Sequence, residues 1–327
     1  MNFYTASLRG TKQSLNWETA SFLAVTLTIV LFLTSCTQKP EKPQSFSICF
    51  AGDLLLDRGV RTNIEMYGVD YLFEDVDSLF QSSDFVIANL ECPVTTDSTP
   101  INKKYIFRAE PEWLGAVKKS GITHLGMANN HFNDQGRDGA IDTWENIKKY
   151  GMTPVGFGNN AKNSCEPVII EKYGTRVAIF ATVTIPLENW FFAENKPGSC
   201  QMDIKQLTEK IIAHKKENPD DLIIVFIHWG TEGIETPSSN QRMEARLLID
   251  AGVDAIIGHH PHVIQSVDYI DGKPVFYSIG NFVFDQKKPS MSKGIIPQIF
   301  FDDGEISGVV VHSYRIERGK PRLIKKQ

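Results

Sequence analysis

Cysteine is scarce in this chain, five in 327 residues, and the five fall at no spacing that builds a zinc knuckle. Charge of one sign is never concentrated either. The 34 Lys and Arg and 39 Asp and Glu are interspersed, for a formal net charge of −5. Without a basic block or stripe, a nucleic-acid partner has little support. No internal repeat or low-complexity tract is present, which argues against a repeat array or a disordered chain. The hydrophobic content of 42% is ordinary for a globular protein. Such a length buries a full core and fits one large domain better than two small ones.

Long apolar runs are also rare, and the longest is at the amino terminus. Ala20–Leu33 follows Arg9 and Lys12 and precedes the small residues Thr34 and Ser35. A charged, apolar, small-residue order of this kind is an export signal, and the run is short for a spanning helix. Cys36 directly after Leu33-Thr34-Ser35 resembles a bacterial lipobox. The reading is therefore a signal peptide at 1–35, a lipidated Cys36 opening a tether over 36–45, and a folded domain at 46–327. Each methylene of an attached lipid would add about 0.8 kcal/mol of membrane affinity. An uncleaved amino-terminal membrane helix and a secretory signal cleaved elsewhere are the alternatives. Among Cys49, Cys92, Cys165 and Cys200, only Cys165 with Cys200 is entertained as a disulfide, and Cys49 reads as a small core residue.

From Phe46 onward, apolar β-rich runs alternate with helical periodicity. The runs are Ser47–Ala51, Phe85–Leu90, His124–Ala128, Val168–Ile170, Val177–Ala181, Leu222–His228 and Ala255–Gly258. Helices are expected at Tyr71–Phe80, Pro111–Ser120, Gly139–Tyr150, Ile204–His214 and Asn240–Ala251. Turn signals at Tyr173-Gly174, Asp271-Gly272, Asp303-Gly304 and Arg318-Gly319 predict hairpins, mostly in the last third. The fold class is α/β, with mixed sheets and helices outside.

Polar residues cluster where those strands end. Asp53 follows the first, Asn89 and Glu91 close the second, and Asn129-Asn130-His131 follow the third. His228 ends the Leu222 run, and His259-His260-Pro261-His262 follow the Ala255 run. In α/β sheets ligands gather beyond the carboxyl ends of strands, so these groups converge if the sheet order permits. Imidazoles mixed with carboxylates and amides, without thiolates, suit manganese, iron or zinc.

Taken in order, these motifs resemble the poly-γ-glutamate capsule-synthesis protein CapA family. They are Gly52-Asp53, Asn89-Leu90-Glu91, Asn129-Asn130-His131 with Asp134 and Gly136, His228-Trp229-Gly230 with Glu232, Gly258 to His262 with Gln265, and Tyr277 to Phe282. That family in turn resembles the calcineurin-like metallophosphoesterases, which bind two metals between two β-sheets. The resemblance implies a layered sandwich of two mixed β-sheets flanked by helices, holding a pair of divalent ions. Asp53 matches that superfamily's first aspartate and Glu91 its bridging aspartate. Asn130 matches the metal-bound asparagine, His228 the lone histidine, and His260 with His262 the His-x-His pair. His131 matches the neighbour that assists the leaving group. Leu55 stands where a further histidine would be, and either His259 or His260 is the ligand. Arg58 reads as a contact for an anionic substrate group or as a surface ion pair.

The implied activity is metal-assisted hydrolysis of a phosphoester or related bond in capsular or cell-envelope polymer synthesis. Two close cations would activate a water and hold both oxygens of the reacting centre, with His131 as general acid. The alternative is a non-catalytic, membrane-anchored component that binds the polymer. The implied partners are the membrane, through the lipid anchor, and a capsular polymer or anionic substrate.

Overall fold

The structure is a computed structural model that describes residues 44–190 and 192–324. The expected signal peptide, Cys36 and most of the tether lie outside the described residues. Among those that are described, no helix is long and apolar enough to cross a membrane.

In chain order the strands begin with β1 (Phe46–Leu54), β2 (Phe85–Leu90), β3 (His124–Gly126), β4 (Thr153–Val155), β5 (Phe157–Gly158), β6 (Val168–Lys172), β7 (Thr175–Val183) and β8 (Gly198–Ser199). They continue with β9 (Leu222–His228), β10 (Ala255–His259), β11 (Val267–Ile270), β12 (Lys273–Phe276), β13 (Asn281–Val283), β14 (Lys293–Asp302), β15 (Glu305–Glu317) and β16 (Lys320–Leu323). The helices are α1 (Gly59–Tyr67), α2 (Asp77–Gln81), α3 (Leu114–Lys119), α4 (Gly136–Lys149), α5 (Ala161–Ser164), α6 (Ile204–Glu217) and α7 (Ser239–Asp250).

One sheet runs β16-β15-β14-β1-β2-β3-β4, with β13 beside β1, and the other runs β11-β12-β10-β9-β7-β6. Both are mixed. β1 to β4 are parallel while β14 joins β1 antiparallel, and β7, β9, β10 and β12 are parallel with antiparallel edges.

Side-chain alternation explains the layering. From β1, Phe46, Ile48 and Phe50 enter a core shared with Ile224 and Phe226 of β9, while Cys49 and Ala51 face the opposite way. That opposite face packs under α1 to α4, and the outer face of β9 (Ile223, Val225, Ile227) packs under α6 and α7. The result is helices, sheet, sheet, helices. Strands buried on both faces read as continuous apolar runs, which is why β9 was plain in the sequence. Truncating one such Phe to Ala would cost about 3–5 kcal/mol.

Most of the expected elements are present, with two corrections. α1 was not anticipated: only Val60 and Ile64 on it are buried, too few apolar positions to give a periodic signal. The single helix expected over Tyr71–Phe80 is instead a 3₁₀ turn at Val69–Leu72 followed by the short α2. The four hairpin signals all mark turns. At Asp271-Gly272 both residues have positive φ, 50° and 78°, as a two-residue turn matched to strand twist requires. Cys165 and Cys200 form a disulfide, whereas Cys49 and Cys92 are buried free thiols.

Candidate metal centre

The site lies where the carboxyl ends of β1, β2 and β3 meet those of β9 and β10. Asp53 sits past an irregularity in β1, whose register against β2 shifts between Ala51 and Asp53. A side chain at Gly52 would meet the Gly280 carbonyl oxygen at 1.9 Å, so the close strand approach there needs glycine. Asp53 is completely buried and accepts a hydrogen bond from Asn89 Nδ2 at 2.8 Å. Glu91 leaves β2 with its N–H donated to the Leu54 carbonyl at 2.9 Å. Leu55, two residues after Asp53, packs into the core under the helices.

Asp53, Glu91 and His262 each bring one ligand atom to within 4.8 Å of the others. His262 Nδ1 lies 3.1 Å from Asp53 Oδ2 and 2.8 Å from Asn281 Oδ1, and its Nε2 is 3.5 Å from Glu91 Oε1. Both Glu91 carboxylate oxygens are buried with no hydrogen-bond partner. A buried unsatisfied polar atom costs about 1–3 kcal/mol, and more if charged. Burial, and then the neighbouring Asp53, hold the Glu91 carboxyl well above its usual range. Burial alone would lower His262, but Glu91 and Asp53 outweigh it and raise the imidazole to about 10, so a metal bound by His262 would have to displace that proton. Asp53 resists the upward push of its own burial through His262 and falls below its usual value. A cation fits beside the two Glu91 oxygens, which accept no hydrogen bond among the described residues.

Beside it lies a neutral group of side chains. His228 Nε2 is 2.9 Å from Asn130 Oδ1, and its Nδ1 is 3.5 Å from Asn89 Nδ2. The His260 ring centroid is 4.9 Å from that of His228 and 6.1 Å from that of His262. Burial first, and then nearby imidazoles, hold His228 well below its usual range and bring His260 to about 3. Both therefore stay neutral, the form in which imidazole ligates metal. His260 and His262 have φ of 96° and 55°. Non-glycine residues in that region cost on the order of 1–3 kcal/mol and concentrate at functional sites.

His259 is placed differently. β10 continues one residue beyond Gly258, and His259 turns into the inter-sheet layer. Its ring lies 4.2 Å from Phe226, with Nε2 3.4 Å from the Ala51 carbonyl. The geometry thus groups His260, not His259, with His228 and His262.

His131 is held by contacts the sequence did not reveal. Its Nδ1 lies 2.8 Å from Asp134 Oδ2, and that carboxylate also accepts from the Phe107 N–H and from Lys103 Nζ, each at 2.8 Å. Lys103 donates in addition to the Asn130 carbonyl, and its side chain is 1% exposed. With Nδ1–H directed at a carboxylate, Nε2 is left as the ring's reactive nitrogen. Burial lowers the His131 pKa, against the pull of Asp134. Lys103 sits in an irregular segment without periodicity, so only its place in space marks it. Arg58 lies at the rim, paired with Asp285 at 2.9 Å, its guanidinium over the Phe107 and Phe284 rings. The ion-pair reading of Arg58 is thus realised, next to rings that touch His131 and His262.

Known proteins share this plan. A solved calcineurin-like phosphoesterase, YfkN from Bacillus subtilis, superposes with a TM-score of 0.54 at 14% identity, over 84% of this chain and 91% of that one. The 5'-nucleotidase precursor from Thermus thermophilus gives 0.52 at 13% identity, over 85% and 56%. At such identities the likeness is one of fold. In sequence, the capsule biosynthesis protein CapA of Bacillus anthracis is 33% identical over 88% of this chain and 71% of its own length. The PGA biosynthesis protein CapA of Bacillus subtilis is 32% identical over 88% and 78%. The model of the bacterial capsule synthesis protein PGA_cap family matches residues 47–286, which contain every strand-end group described above. On these residues, this fold and these relatives, the chain belongs to the bacterial capsule synthesis protein PGA_cap family.

Proposed function

We propose that the protein is a metal-dependent, phosphoesterase-like hydrolase that acts in the synthesis of an envelope polymer of the poly-γ-glutamate type. The observation that carries this reading is Glu91. A completely buried carboxylate with no hydrogen bond to either oxygen among the described residues, its nearest opposite charge the His262 ring at 3.5 Å, is costly unless a cation joins it. Asp53, Glu91 and His262 would hold one divalent ion, and Glu91, Asn130, His228 and His260 a second. Bound manganese, iron or zinc would supply an activated water and polarise the bond to be cleaved. The chain's own part is to orient and to move a proton. Asp134 and Lys103 fix His131, whose ring, once it has taken up a second proton at Nε2, would donate that proton to the leaving oxygen, and Arg58 would border the substrate's anionic group.

The polymer connection comes from the relatives, whose names place them in capsule or PGA biosynthesis. Lipidation at Cys36 would hold the domain on the exported side of the membrane, and the Cys165–Cys200 disulfide suits an oxidising compartment. Leu55 favours a second reading, a component that binds polymer without cleaving it. Its burial in the core withdraws one ligand position of the superfamily pattern and leaves a reduced site.

Elemental analysis and a chromogenic phosphodiester assay separate the two. The hydrolase reading expects bound transition metal, turnover that chelation abolishes, and loss of most metal in His228→Ala/His262→Ala with the fold retained. Unchanged metal in that variant would move the site elsewhere, and bound metal without turnover of any ester would favour the binding component. The anchor is tested by Cys36→Ser, which should abolish palmitate labelling and mature-size processing. A labelled, membrane-retained variant would reject it.

A further inference from the structure

Next to the metal centre, on the far side of Phe284, is a second cavity of about 400 Å³. That is within the usual size range of small-ligand sites. Its walls include Gly59 and Asn63 of α1, Phe284 to Lys287, and the turn between β15 and β16 with Arg318. Phe284 is shared with the centre, its ring centroid 5.0 Å from that of His262. A ligand in this cavity is one side chain away from the candidate metal ligands.

The charges of this cavity are unbalanced. Asp285 is the carboxylate in its lining, and Asp285 is already engaged by the Arg58 guanidinium at 2.9 and 3.1 Å and by the Gly59 N–H at 3.1 Å. Lys287 and Arg318 also line it, both exposed, and neither has an ion-pair partner among the described residues. Nearby cations are of both kinds: Lys288 and Arg315 also have no ion pair among the described residues, whereas others are engaged. Arg61 pairs with Asp57 and Glu110, Lys320 with Glu74, and Arg322 with Asp75 and Glu317. The turn that presents Arg318 is also fixed in place. Asn63 Nδ2 donates to the Arg318 carbonyl at 2.7 Å, and Gly319 packs against Val60.

We propose that this cavity is a carboxylate subsite, in which Lys287 and Arg318 hold the free α-carboxylates of a γ-linked polyglutamate chain whose adjoining segment lies at the metal centre. The inference deepens the proposed function, on which its choice of an acidic polymer rests. Arg offers a planar fork that matches a carboxylate and Lys a mobile point charge, so the pair grips successive acids without demanding one exact geometry. Phe284 and Ile316 give the uncharged part of the ligand an apolar floor. Phe284, which also faces His262, forms the wall between subsite and centre.

The test uses the full chain in detergent micelles and a fluorescently labelled γ-linked glutamate pentamer, followed by anisotropy after chelation of metal. Lys287→Ala/Arg318→Ala should weaken binding about tenfold, the combined size of two exposed charge contacts. Lys287→Arg/Arg318→Lys should bind as the parent does. Metal content and turnover of a small chromogenic phosphodiester should be unchanged in both. Equal affinity of parent and double-alanine variant would overturn the subsite, and so would equal binding of the neutral, fully amidated pentamer. Because binding is read without metal, a protein that turns over nothing would reject the hydrolase reading while leaving this result standing.

Discussion

Two groups of buried polar residues meet at this site, and they are finished to different degrees. Around His131, each charge has its partner. Asp134 accepts from Lys103, from a backbone amide and from the imidazole, and Lys103 also donates to the Asn130 carbonyl. Around Glu91, two carboxylates share a single imidazole and both Glu91 oxygens have no hydrogen bond. The first group is complete as folded; the second is completed only from outside. A buried polar network is stable when fully satisfied and costly when partly so. The difference separates a fully satisfied group from one in which a cation would supply the missing partner.

The comparison is sharpest in activity. His131→Ala should lower ester turnover by about 10²–10⁴-fold, the usual share of a general acid, with metal content unchanged by elemental analysis. If metal is lost along with turnover, the two groups are not separable in this way. Next in size is Lys103→Ala, which strands Asp134 in the interior. Breaking a buried pair from one side costs about 3–5 kcal/mol, to be read as a fall in denaturation midpoint with or without added metal. A midpoint within error of the parent would mean that the group is not the finished structure described. The smallest effect concerns Glu91→Gln. The parent should gain about 2.7 kcal/mol of stability when metal is supplied at a hundred times its dissociation constant, and the variant should gain little. An equal gain in both would place the cation away from Glu91.

How far the site was legible follows from where its residues lie in the chain. Asp53, Glu91, Asn130 and His228 end continuous apolar runs, and a run buried on both faces announces its own boundary. The mixed two-sheet plan was legible for the same reason, with hairpin turns marking the antiparallel part. Which of His259 and His260 lies beside His228 and His262 was not legible. It depends on β10 extending one residue past Gly258, a matter of register that strand pairing with His228 decides. Lys103 was hidden because irregular segments carry no periodicity, and a lysine next to another, Lys104, looks like solvated surface. The helix α1 was missed because two buried residues in nine make no stripe.

Gly52 carries a consequence for how the protein tolerates change. The space for its missing side chain is filled by the Gly280 carbonyl, one residue before the Asn281 that steadies His262. Gly258, one residue before His259, is crowded in the same way by the Tyr277 carbonyl at 2.1 Å. Two inert positions therefore act as spacers that set the clearance between neighbouring segments. A single methyl group at Gly52 would wedge Asp53 and Asn281 apart together, displacing two walls of the site at once. In a mutational scan these hydrogens should prove as irreplaceable as the imidazoles beside them, although they touch nothing that reacts.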